Sequence, residues 1–282
     1  MSIREMTSVF RSALGLVSGT SGALRFVVVA LCFGLCVPVP VMAQSDDAAA
    51  LARKLSNPIA SLISLPFQLN YDSGYGAAGN GSRLLMNVQP VIPFKLNENW
   101  NVISRTIVPF DNRDFNNTGY SFAIGDIVQS FFFSPSEPSS SGVTWGVGPV
   151  FVLPSGSNFS GDTWGAGLTG VVLKQSGRST YGMLANHIWD VSGPASIDAT
   201  FIQPFASYTT PELWTYGINV EGTYDWNTSQ WSAPLNVSAT KLIDIDGQKI
   251  SIGGGVGYWL ASPNGQADGW RARLIATFLF PK

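Results

Sequence analysis

The stretch LWTYGINVEGTYDWNTSQWSAPLNVSATKLI (Leu213–Ile243) decides the fold. Alternate residues from Trp214 are Tyr216, Ile218, Val220, Gly222, Tyr224 and Trp226; between them stand Thr215, Gly217, Asn219, Glu221, Thr223 and Asp225. After a tight turn the alternation resumes, with Trp231, Ala233, Leu235, Val237 and Ala239 set against Ser232, Asn236, Ser238 and Thr240. A period of two means strand, because successive side chains point to opposite faces of a sheet. Soluble sandwiches alternate too, but they place aromatics at the core centre. Here aromatics sit at the strand ends with small aliphatics between them, the pattern of a lipid-facing band bounded by two interfacial girdles.

Outward from this hairpin the pattern gives about twelve strands, near 61–71, 82–94, 100–110, 121–133, 143–153, 163–174, 179–189, 198–208, 213–225, 230–243, 248–260 and 269–280. The joins alternate in length. Leu96–Asn99, Ser134–Gly142, Gln175–Arg178, Thr209–Glu212 and Asp244–Gly247 are mostly short; most of the others are longer and rich in Gly, Asn and Ser, the turn at Asn227–Ser229 excepted. Short turns on one side and long loops on the other are the organisation of an outer-membrane barrel, with the short turns periplasmic. The expected fold is therefore all-β, a closed antiparallel transmembrane β-barrel with both termini periplasmic. The last strand, Trp270 to Phe280, alternates and ends in aromatics, which resembles the assembly signal of such barrels, although Pro281 and Lys282 displace the terminal aromatic by two residues.

The N-terminus fits export. Arg4, Arg11 and Arg25 precede an apolar run, Phe26 to Val37, and Val41-Met42-Ala43 offers a small-residue cleavage pattern before Gln44. Residues 1–43 read as a signal peptide, because the apolar run falls short of the roughly 20 residues of a membrane helix. Cys32 and Cys36, the two cysteines of the chain, lie inside it, and each follows a leucine where a lipoprotein site would want a small residue. A chain starting near Gln44 has 239 residues, 13 basic and 17 acidic, and carries −4 against −2 for the whole sequence. It has no basic patch, so nucleic acid is not an expected partner. Residues 44–58 stand apart from the strands of 59–282. Asp46 and Asp47 open a short helix, Arg53 and Lys54 end it, and Asn57-Pro58 stops it. This segment is either a frayed periplasmic tail, the preferred reading, or a plug that enters the lumen.

Directing the apolar faces outward leaves Asn70, Asp72, Arg83, Arg105, Glu221, Arg271 and Arg273 as candidate pore-lining residues, with Gln68, Asn87, Gln89, Asn219 and Asp225 beside them. If the barrel closes, its first and last strands are neighbours, and Asn70 and Asp72 can meet Arg271 or Arg273. Most such groups are expected to pair and brace the interior, because buried charge survives when paired; the alternative is a polar eyelet. Inward glycines at 146, 148, 165, 167, 253, 255 and 257 are read as permitting sheet curvature. Twelve strands fall between the roughly 8-stranded barrels that side chains fill and the 16-stranded porins that hold a water channel, so a narrow or plugged pore is expected.

His187, the one histidine, has Ala185 and Trp189 as same-face neighbours on its strand. The twelve-stranded outer-membrane phospholipase sets a serine two residues from its histidine, and that arrangement is missing. A serine on an adjacent strand stays open, but His187 is read as a girdle or packing residue. No cluster has metal-ligand spacing and no phosphate loop is present; Asp111, Asp114, Asp162, Asp190 and Asp268 are read as solvated loop acids, with calcium the alternative. No metal and no cofactor is expected.

Several segments resemble a family of Gram-negative outer-membrane proteins named for the meta-pathway of phenol degradation: NPIASLISLPFQLNYD (Asn57–Asp72), NVQPVIPFKLNENWNVISRTIVPF (Asn87–Phe110), GDIVQSFFFSP (Gly125–Pro135), WGVGPVFVLPS (Trp145–Ser155), LKQSG (Leu173–Gly177), LANHIW (Leu184–Trp189), QPFASYTT (Gln203–Thr210) and TYDW (Thr223–Trp226). The resemblance runs through nearly the whole chain after residue 43. It implies a barrel in the outer membrane and, for function, uptake of small apolar or aromatic compounds. It supplies no catalytic motif. The expectation is a non-enzymatic outer-membrane channel for passive passage of small molecules, hydrophobic or aromatic ones among them. Its partners are outer-membrane lipids, a small-molecule solute and the barrel assembly machinery. The alternatives are a lipid-directed enzyme built on His187 and a structural barrel with a blocked lumen whose long loops, such as 154–163, make the contacts.

Overall fold

The computed structural model of the chain describes residues 46–115 and 119–280. The expected signal peptide with its two cysteines, the start near Gln44 and the displaced Pro281 and Lys282 lie outside the described residues. Helix α1 (Asp46–Leu55) leads into twelve antiparallel strands. They are β1 (Ile63–Tyr75), β2 in two segments (Gly81–Val88 and Val91–Lys95), β3 (Trp100–Asp114), β4 in two segments (Ser121–Ile124 and Ile127–Pro135), β5 (Val143–Leu153), β6 (Trp164–Ser176), β7 (Ser179–Ser192), β8 (Asp198–Thr209), β9 in two segments (Trp214–Val220 and Gly222–Asp225), β10 (Gln230–Ile245), β11 (Gln248–Ala261) and β12 (Trp270–Phe280). Each strand pairs with its sequence neighbours, and β1 pairs with β12 from Ile63↔Phe280 to Asp72↔Arg271, which closes the sheet into a barrel without an edge.

The three interruptions, where unbroken strands were expected, each sit at a proline or opposite one. Pro90 stands in the gap of β2, Gly125 N donates to Pro109 O across the gap of β4, and Glu221 N donates to Pro234 O across the gap of β9. Proline brings no N–H to the ladder, so regular pairing lapses beside it. Several strands also run past their expected ends on the loop side, β1 to Tyr75, β3 to Asp114 and β7 to Ser192. The short turns and both ends of the described chain share one rim, here the turn end; the longer connections share the other, the loop end.

The exterior follows the alternation. Trp214, Tyr216, Ile218, Trp226, Trp231 and Val237 are exposed, as are Leu168, Val172, Ile252, Val256 and Leu274. Aromatics ring the two rims, Trp100 against Trp145 at the turn end and Tyr224 among Trp226 and Trp231 at the loop end, with Tyr258 against Trp270. An apolar outer surface on a closed barrel is stable only in lipid, where every backbone polar group must be satisfied within the sheet. The chain is accordingly a β-barrel of the Gram-negative outer membrane. No helix among the described residues is long and apolar enough to cross a membrane.

At two places in β11 glycine is required by close approach: an ideal Cβ on Gly253 would run into Ala239 O, and one on Gly255 into Val237 O. Neighbouring backbone approaches too closely there for a side chain.

Candidate functional site: the lumen

From the loop end inward, the lumen is layered. The outermost layer is built on β2 and β3. Arg83 donates to both carboxylate oxygens of Asp111, at 2.9 and 2.8 Å, and Arg113 lies 3.5 Å from the same group. Asp111 is thus a buried strand residue, not a solvated loop acid, because β3 continues beyond residue 110. Arg113 also stacks on the ring of Phe159, 3.5 Å from its centroid, and Phe115 stacks on Tyr75. These contacts bring the 154–163 loop over the mouth. Asp126, accepting from Ser155 N, Ser160 Oγ and Gly161 N, holds that loop down.

The second layer joins four strands. Arg271 of β12 donates Nε and Nη2 to Asp72 of β1 at 2.8 and 3.0 Å, and Nη1 to Glu221 at 3.3 Å. Arg273 donates Nη1 and Nη2 to Glu221 at 3.0 and 2.8 Å, and Nε to Asn70 at 2.7 Å. The cross-strand pairs Asn70↔Arg273 and Asp72↔Arg271 come directly from barrel closure. Glu221 reaches the group from the interruption of β9. Trp259 completes it, donating Nε1 to Asp72 at 2.8 Å with Arg271 over its ring. Trp259 escaped the sequence reading, although it shares the parity of the inward glycines of β11. Two carboxylates face two guanidiniums, so the layer is neutral, and its buried members are bonded as buried charge requires.

The third layer divides. On the β2–β8 side an apolar cluster of Ile59, Val91, Ile103, Phe132, Val171, Leu173 and Leu184 fills the lumen, with Phe201 and Phe205 against it. Ile59 comes from the segment after α1, and Gly146 makes room for it, since an ideal Cβ there would lie 3.2 Å from Ile59 Cδ1. On the other side lies a cavity of about 310 Å³. Arg105 lines it and donates to Gln89 Oε1 at 2.8 Å; Asn219 and the hydroxyls of Ser64, Ser207, Thr215, Ser238, Thr240, Ser251 and Thr277 share the lining.

At the turn end α1 sits against the inward face of the barrel. Ala52, 1% exposed, packs with Leu62, Leu213, Leu242 and Leu279, and Ala48, Ala49, Leu51 and Leu55 join them. Two polar contacts tie it to the turn between β6 and β7: Arg53 Nη1 to Gly177 O at 3.0 Å, and Gln175 Nε2 to Arg53 O at 2.9 Å. The segment lies in the mouth of the lumen, unlike the preferred reading of a frayed tail, because alanines and leucines on one side of α1 find apolar partners there.

All seven residues read as pore-lining point into the barrel, in three groups: Arg83 with Asp111, Arg105 on the cavity, and Asn70, Asp72, Glu221, Arg271 and Arg273 in one network. Asp225 instead caps a turn, accepting from Asn227 N and Thr228 N. His187 lies on the outer face. Its Nδ1 is 2.7 Å from Oγ1 of Thr200, its direct partner on β8, and Nε2 is 3.2 Å from Asp198 Oδ1 without hydrogen-bond alignment. The ring packs on Trp189, and Trp226 Nε1 donates to the same Thr200 oxygen at 2.8 Å. Among the described residues no group of three or more His, Cys, Asp or Glu could hold a metal ion.

No protein-family model matches the sequence, and no curated protein sequence does. Among solved structures, an outer membrane channel from Pseudomonas putida F1 superposes with a TM-score of 0.62 at 13% identity, covering 78% of this chain and 96% of that one. At that identity the likeness shows a shared fold. The KdgM porin (TM-score 0.46, 12% identity, 77% of this chain and 99% of that one) and the outer membrane phospholipase A of Escherichia coli (0.44, 12%, 78% and 98%) are similar more loosely.

Proposed function

We propose that the chain is a gated channel of the outer membrane, passing small organic molecules passively through a lumen that its own N-terminal segment holds shut. The observation that carries this reading is the position of residues 46–60. The barrel wall is complete without them, yet α1 and Ile59 occupy its interior through apolar contacts and two tethering hydrogen bonds. A segment that fills the lumen without belonging to the sheet can leave it without breaking the sheet. The fold shared with an outer membrane channel supports the assignment. Orientation follows from the same reading: short turns and termini on the periplasmic side, loops outside, and the terminal strand Trp270–Phe280 offered to the assembly machinery. The resemblance to the meta-pathway family adds apolar and aromatic compounds as the solute class.

The test is planar-bilayer conductance of the intact chain and of a variant lacking residues 46–60. Larger or more frequent steps in the variant are expected; equal conductance overturns the gate.

A second reading, lipid hydrolysis at His187, gains the hydroxyl of Thr200. Trp226 donates to that same oxygen, however, which withdraws the electron density a nucleophile needs, and Asp198 is not aligned to orient the imidazole. We infer an interfacial hydrogen-bonded girdle for this group.

A further inference from the structure

We propose that the luminal cavity binds small organic monocarboxylates, with Arg105 as the anchor for the carboxylate group. Two ionisable side chains line the cavity, Lys54 and Arg105, and both are cations; no Asp or Glu lines it. Among the described residues the Arg105 guanidinium has one hydrogen-bond partner, the neutral Gln89, and no carboxylate forms an ion pair with it. Glu221, which attracts it from a distance, already accepts from Arg271 and Arg273. The neighbouring layer is neutral in itself, so Arg105 has no carboxylate of its own within ion-pair distance. Arg105 keeps part of its surface open to the cavity, but a guanidinium largely withdrawn from bulk water without a paired counter-charge is still costly. A bound anion removes that cost, and a carboxylate matches the planar guanidinium fork.

The rest of the lining sets the body of the ligand. Leu62, Pro66, Val91, Phe205 and Ile275 supply apolar surface, while serine and threonine hydroxyls supply neutral hydrogen bonds. The volume of about 310 Å³ stands at the lower end of the roughly 300–1,000 Å³ of small-molecule pockets. A compact apolar body carrying one carboxylate fits this combination better than an inorganic anion, which leaves the apolar side unmatched.

As a binding site this stands apart from conduction; as a statement of which solutes cross the barrel it rests on the channel reading. Two measurements separate the failures. The chain, purified from the outer membrane of an expressing host into a neutral detergent, is titrated with benzoate, with its neutral analogue benzamide, and with inorganic phosphate, by calorimetry or ligand-observed NMR. Benzoate is expected to bind at least tenfold more tightly than either. Arg105→Gln is expected to lose at least tenfold in benzoate affinity. Gln89→Glu tests the same point with the guanidinium in place: the new carboxylate pairs with Arg105 from the position Gln89 holds, and benzoate affinity should again fall at least tenfold. Equal binding of benzamide or phosphate, or unchanged benzoate affinity in a folded Gln89→Glu barrel, overturns the site. Conductance without benzoate binding sinks the site and leaves the channel; benzoate binding without conductance in any variant does the reverse.

Discussion

Replacing Asp72 with alanine tests whether the second luminal layer is a mutually dependent unit. Asp72 is 1% exposed and accepts three hydrogen bonds, two from Arg271 and one from Trp259. Without it, Arg271, 6% exposed, keeps a single bond to Glu221 at 3.3 Å, and Trp259 loses its acceptor. Removing one member of a buried pair costs about 3–5 kcal/mol, because the surviving charge stays desolvated. The orphaned indole N–H adds about 1 kcal/mol. Asp72→Asn keeps the shape and an acceptor but not the charge. One of the two oxygens that accept from Arg271 becomes an amide nitrogen that cannot accept, so one bond is lost and the other keeps only the charge of its donor, a combined loss of about 2 kcal/mol.

The decisive comparison is the double variant Asp72→Ala/Arg271→Met. It removes both charges and leaves Arg273, Glu221 and Asn70 bonded to one another. If the cost of Asp72→Ala is that of an uncompensated guanidinium, the double variant should be more stable than the single one, with a coupling of about 2–3 kcal/mol. The assay is reversible urea unfolding in lipid vesicles, followed by tryptophan fluorescence and checked by heat-modifiable gel migration. A loss below about 1 kcal/mol in Asp72→Ala, or additive losses in the double variant, would refute the reasoning: the lumen would then be wet enough for water to replace Asp72.

Ile59→Asp puts a charge into the apolar cluster around Phe132 and should release the N-terminal segment; single-channel recordings should show longer openings with the barrel intact. Gly146→Val places a side chain where Ile59 now sits and should act in the same direction but more weakly, read as faster proteolytic clipping ahead of β1. Thr200→Ala and His187→Ala should leave phospholipid hydrolysis at background; activity in the native chain that either change abolishes would restore the enzyme reading.

Most of the wall was legible in the sequence, because a barrel strand is specified residue by residue through the parity of its side chains. Trp214 to Trp226 announces its outer face without reference to any other strand. The meeting of Asp72 with Arg271 was also legible, since closure makes neighbours of the first and last strands whatever the radius. Contacts that cross the lumen were not. Glu221 reaches Arg271 and Arg273 from β9, three strands away from β12, and Trp259 meets Asp72 from β11, two strands away from β1. Both depend on register and curvature that no local pattern carries. Thr200 stands opposite His187 for a similar reason: the length of the 193–197 connection sets that register. The docking of α1 was hidden because a short helix of alanines and leucines reads alike as a loose tail and as a plug.

Where the closed lumen would yield follows from how each obstruction is held. The second layer is bonded to β1, β9, β11 and β12 through charge-assisted hydrogen bonds among buried groups, and each would have to break to clear it. The 154–163 loop is fastened by Asp126 with three bonds and by Arg113 stacked on Phe159. The N-terminal segment has two exposed tethers and apolar contacts alone, those of the alanines and leucines of α1 and of Ile59. Local opening selects the element with the fewest buried contacts and the most exposed hydrogen bonds, and that element is α1. Its withdrawal would open the cavity at Arg105 first, since Lys54, Leu55 and Ser56 form part of that cavity's lining. The anion site and the gate therefore share a surface. A carboxylate bound against Lys54 and Arg105 holds the segment in place, whereas one held by Arg105 alone does not. Lys54→Gln separates these cases: if the ligand bridges the two, the change should raise open probability in benzoate and leave it unaltered in its absence.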